Sequence, residues 1–109
     1  VSLFRRRTGW TLADAVEKHA AAPNSFRIPS DDAKASAQVG DRVKLVVEPD
    51  SGLVERVWVR VTAVGEVELE GSLNSDPAEL RGLHAGDTVQ FERRHIVAIT
   101  PHRSDPGPT

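Results

Sequence analysis

The sequence predicts an α+β fold that is mainly β: a five-stranded bent sheet or SH3-like small barrel with one or two N-terminal helices. Three observations lead there. Beyond residue 39, apolar residues recur at every second position in several short stretches. Turn-forming residues separate those stretches. The two helix starts, at Thr11 with Asp14 and at Ser30 with Asp31 and Asp32, both precede residue 39. Short strands favour closure, because an unpaired sheet edge is a template for aggregation. A chain of 109 residues can bury one core without staples.

Residues 1–10 are expected to be a flexible basic arm, with Phe4 beside Arg5, Arg6 and Arg7. A single domain is expected over 11–100. Its first element is a helix at 11–22, capped by Thr11 with Asp14 three residues on and stopped by Pro23. Trp10 then stands where it can pack back on the helix as a staple. Residues 23–29, PNSFRIP, are bracketed by prolines and predict an extended link that docks Phe26 and Ile28 on one side. Ser30 with Asp31 and Asp32 predicts a second helix over 31–37, since a hydroxyl cap and early acids suit a helix N-terminus.

The β core is expected over 39–100. Val43, Leu45 and Val47 alternate with Arg42, Lys44 and Glu48, and PDSG at 49–52 marks a turn. Val57, Val59 and Val61 point inward, and Arg56, Trp58, Arg60 and Thr62 outward. After Gly65, the inward set is Val67, Leu69, Gly71 and Leu73. Val89 with Phe91, and Ile96 to Ile99, mark the last two strands. Matching the inward faces suggests a three-residue loop at 64–66, with Val61 opposite Leu69, Arg60 opposite Glu70, Thr62 opposite Glu68 and Trp58 opposite Ser72. VGDRVKL at 39–45 echoes AGDTVQF at 85–91. In each, glycine supplies a positive φ and aspartate accepts hydrogen bonds from the turn backbone. Three prolines in 101–109 predict a disordered tail.

The composition narrows the function classes. There is no cysteine, which excludes disulfides, thiolate metal sites and a cysteine nucleophile. Charge is uneven within a net of −2: the first ten residues carry three arginines, while the rest of the chain is mildly acidic. No signal-peptide pattern is present, since the basic residues do not precede an apolar run, and the expected location is the cytoplasm. His19, His84, His95 and His102 show no metal-ligand spacing, so no metal is expected. No nucleophile elbow, P-loop or dinucleotide-binding spacing occurs, so neither a catalytic residue nor a cofactor is assigned.

The residues that remain suggest recognition. Arg56, Trp58 and Arg60 share the outward face of one strand, and a tryptophan between arginines has the composition of an interface hot spot. The long segment 74–87 follows the next strand, and Asn74, Asp76 and His84 supply a polar rim. The expected function is a non-enzymatic protein-binding module, with these six residues as its site. The first alternative is a nucleic-acid-binding small barrel, since an aromatic flanked by guanidiniums can stack bases. An Arg60–Glu70 pair would neutralise that face and count against it. The second alternative is a small hydrolase with an Asp, Glu and His site assembled in space.

From about residue 25 to 99, the ordered segments SFRIPS, VGDRVKLVVE, ERVWVRV, GSLNSDP and GLHAGDTVQFERRHIVAI resemble an uncharacterised bacterial family, a domain of unknown function. The resemblance implies a shared fold and no established catalytic residue. Trp58, Asn74, Pro77, Asp87 and His95 stand at the family-like positions. It also implies a loose link to bacterial accessory and immunity-type proteins. The expected helix at 11–22 falls outside the resembling segment.

Overall fold

The computed structural model describes residues 10–49, 54–74 and 84–102. Six antiparallel strands form one barrel-like sheet: β1 (Trp10–Leu12), β2 (Arg42–Pro49), β3 (Glu55–Val64), β4 (Glu68–Leu73), β5 (Thr88–Glu92) and β6 (Ile96–Thr100). Two short helices, α1 (Ala15–Ala21) and α2 (Asp31–Ala35), precede β2. Strands β2 to β5 pair in sequence. The chain then turns through a single 3₁₀ turn (Arg93–His95), and β6 returns to pair with β2. β1 pairs with the far end of β2, so β6 and β1 share one edge of that strand. This is the mainly β, SH3-like arrangement that the alternation predicts, with one strand more than expected.

The alternation sets the core. Val43, Leu45 and Val47 from β2 meet Val57, Val59 and Val61 from β3, with Leu69, Leu73, Val89, Phe91 and Ile96 closing the barrel. Each such side chain, removed from water, stabilises the fold by about 1.5–3 kcal/mol. Gly71 belongs to this inward set. A Cβ there would collide with Val59 Cγ1 and lie 2.7 Å from the Arg60 carbonyl oxygen, so β4 approaches β3 more closely than a side chain allows.

The helix expected at 11–22 begins later. Asp14, not Thr11, is its cap, and its carboxylate accepts the Glu17 N–H at 3.1 Å. Trp10–Leu12 is strand, drawn there by the open edge of β2 at Val47 to Pro49. Trp10 is therefore buried in the barrel core and belongs neither to an arm nor to a helix staple. The second helix follows the prediction closely, with Ser30 Oγ accepting the Ala33 N–H at 3.1 Å. Arg93 ties that helix to the β3–β4 turn. Its Nε donates to Lys34 O and its Nη1 to Glu66 O, both at 3.2 Å.

The β3–β4 register differs from the expected one. Val59 faces Leu73, Arg60 faces Ser72 and Val61 faces Gly71. A bulge then places Ala63 opposite Glu70, leaving Thr62 as the extra residue of β3. The Thr62 hydroxyl donates to Glu70 O at 3.2 Å. The turn itself also falls later in the chain than expected, where Gly65 N–H donates to Glu68 O. Val67 falls at its tip and is 66% exposed, not inward. Arg60 opposite Glu70, Thr62 opposite Glu68 and Trp58 opposite Ser72 are all overturned. His102, which the expectation places in the tail, donates its N–H to the Asp41 carboxylate at 2.9 Å. The PDSG turn beyond Pro49, the arm up to residue 9 and the tail beyond 102 lie outside the described residues.

Candidate functional site

The outer face of the sheet is built from the positions that alternate with the core. β2 contributes Arg42 and Lys44, and β3 contributes Arg56, Trp58 and Arg60. The β2–β3 register places Arg42 directly opposite Arg60, Lys44 opposite Trp58 and Val46 opposite Arg56. Lys44 Nζ lies 5.1 Å from the centre of the Trp58 ring, so the cation over the indole comes from the neighbouring strand. On the other side, Asn74 N–H donates to Trp58 O at 2.8 Å. The register that removes Ser72 from Trp58 thus brings Asn74 beside it.

Two adjoining open hollows lie here. One, of about 590 Å³, is walled by Arg42, Arg60, Asn74, Thr100 and His102, with Gly40 and Pro101 completing it. The other, of about 270 Å³, lies between Arg42, Trp58, Asn74 and Thr100. Among the described residues, neither is lined by a carboxylate. The carboxylate adjoining Arg42 in the chain, Asp41, is buried and already engaged. Its two oxygens accept the backbone N–H groups of Gln38 and His102. Among the described residues, no ion pair involves Arg42, Lys44, Arg56 or Arg60; the pairs formed join Lys18 to Glu48, Lys34 to Asp31, and Arg94 to Asp14 and Glu92.

Of the six residues expected to form the site, Trp58, Arg60 and Asn74 come together at these hollows. Arg56 lies further along the same face. His84 does not line either hollow; its backbone N–H donates to the Asp87 carboxylate at 2.8 Å, in the turn before β5. Asp76, with Pro77, lies outside the described residues. Arg42, Thr100 and His102 complete the hollow and were not anticipated. The PDSG turn held the signal for Arg42: a hairpin closed there sets residue 42 opposite residue 60. Thr100 and His102 carried no comparable signal, because they follow the last apolar residue of the chain.

The other histidines are anchors. His19 Nδ1 is 2.7 Å from Phe26 O, holding the link after α1, and His95 Nδ1 accepts the Glu92 N–H at 2.9 Å. Among the described residues no group of three acidic or histidine side chains is arranged to hold a metal, and no helix is long and apolar enough to cross a membrane.

A family model described as an uncharacterized protein conserved in bacteria (DUF2314) matches residues 13–99. The match takes in α1 and strands β2 to β6, so that helix is part of the family's domain. No curated protein and no solved structure matches the chain.

Proposed function

The chain belongs to this bacterial family, and from that premise we propose that it is a non-enzymatic binding module of the bacterial cytoplasm, docking an acidic protein on the outer face of β2 and β3. One observation carries the reading. Arg60 faces Ser72 instead of Glu70, so the face around Trp58 keeps its positive charge in a chain whose net charge is −2. Charge of one sign on a sheet face steers an oppositely charged partner, and a tryptophan among arginines supplies the anchor. Arg56, Trp58, Arg60 and Asn74 are the contact residues, joined by Lys44. The family description contains no link to accessory or immunity-type proteins, and none is proposed.

Capture of a partner from the native host tests this, with Trp58→Ala and Arg60→Ala beside the parent chain. Truncating a central interface tryptophan costs about 2 kcal/mol or more, roughly thirtyfold in affinity. The folded variants should therefore lose most of the captured protein. Equal recovery by folded variants places the interface elsewhere. The same missing Arg60–Glu70 pair also favours the nucleic-acid alternative. Capture abolished by nuclease, with micromolar binding of a labelled single strand and a steep salt dependence, would establish that alternative instead.

A further inference from the structure

We propose that the larger hollow beside Arg42 and Arg60 is an oxyanion site for a phosphate monoester. The register writes a single row across five strands on the outer face: Thr100, Arg42, Arg60, Ser72 and Thr88. Every member of the row can donate a hydrogen bond and none is an acid. Two like charges set directly opposite each other destabilise a sheet unless an anion offsets them. Among the described residues no carboxylate lines the hollow, and Asp41 has both oxygens occupied by backbone donors. A bound oxyanion supplies the offsetting charge.

The donor set favours a phosphate over a carboxylate. Two guanidiniums carry two positive charges, which a phosphate monoester matches at about −1.5 to −2. A carboxylate brings one charge and two oxygens, leaving one guanidinium uncompensated. Asn74 and Thr100, which line the hollow with both arginines, add a neutral amide and a hydroxyl for the remaining oxygens. The site goes beyond the docking reading, because it needs no protein partner. The phosphate can be carried by a small metabolite or by a modified side chain.

Titration of the full 109-residue chain with inorganic phosphate, followed in amide-resolved NMR spectra, tests the site. Saturable shifts are expected at Arg42, Arg60, Asn74 and Thr100. Arg42→Gln and Arg60→Gln should each weaken binding by about tenfold or more, the loss expected for a charge-assisted contact. Lys18→Gln, on α1 and paired with Glu48, should leave the affinity within about twofold. Comparing a phosphoserine peptide with a sugar phosphate identifies the source: whichever binds more tightly carries the group, and either result supports the site. Absence of saturable shifts, acetate binding as tightly as phosphate, or equal weakening by Lys18→Gln would overturn it. Protein capture that survives while phosphate binding fails overturns this site alone, and the converse overturns the docking reading alone.

Discussion

The two Gly-Asp turns make the most instructive comparison in the molecule. In the first, Gly40 has φ +98° and the Asp41 carboxylate accepts the Gln38 N–H; in the second, Gly86 has φ +92° and Asp87 accepts the His84 N–H. Both fasten to a neighbouring strand in the same way. Gly40 donates to Val61 O while Val61 donates to Asp41 O, and Gly86 and Asp87 repeat this with Leu73. The turns therefore clamp one end of β3 and one end of β4. Their surroundings differ. Asp41 is buried and also accepts the His102 N–H, and the His102 ring lies against Gly40. Asp87 is half-exposed, and nothing lies within 4 Å of where a Gly86 Cβ would stand. The same local motif thus starts a strand in both places, and among the described residues a distant segment closes over the first alone and walls the hollow.

Replacing the aspartates should expose the largest difference. Asp41→Ala leaves two backbone donors without their acceptor at a buried position, a loss of about 2–3 kcal/mol. Asp87→Ala removes one acceptor where water can replace it, about 1 kcal/mol. Urea denaturation of both variants checks this, and equal midpoints would erase the distinction.

The glycines should differ by less. Gly86→Ala costs only the strain of a positive φ, about 1–2 kcal/mol. Gly40→Ala adds a Cβ only 3.2 Å from the His102 ring, so it should cost about 1 kcal/mol more. A cycle with His102→Ala sharpens the point. The excess at Gly40 should shrink by about 0.5–1 kcal/mol, and no coupling should appear between His102 and Gly86. Non-zero coupling at Gly86 would mean that the two turns do not differ in the way described.

The smallest effect concerns the arginines. Arg60→Gln should leave thermal stability unchanged or slightly raised at low salt, because it relieves a like-charge pair with Arg42. A clear fall in melting temperature would show that Arg60 is structurally paired after all.

Much of this was legible from residue types alone. Alternation gave the barrel and its inward valines, and the Gly-Asp echo gave the turn chemistry of both clamps. The helix start was not legible in the same way. Thr11 and Asp14 are both competent caps, and only the open edge of β2 decides for Asp14 by pulling Trp10–Leu12 into the sheet. The β3–β4 register was hidden by the bulge at Thr62, a residue common in regular strands and carrying no bulge signature. Together with a turn that falls later in the chain than expected, the bulge sets a register two residues from the expected one. This hid the candidate site: Arg60 faces Ser72 where Glu70 was expected, and Asn74 lies beside Trp58.

The account therefore rests on one register, and cross-strand proton contacts in the NMR spectrum of the parent chain test it most directly. Contacts should join Arg60 to Ser72, Val59 to Leu73 and Val61 to Gly71, with Asn74 close to Trp58. Contacts joining Arg60 to Glu70 and Val61 to Leu69 would contradict the account, because an acid would then sit opposite Arg60 and the cationic face would be neutralised.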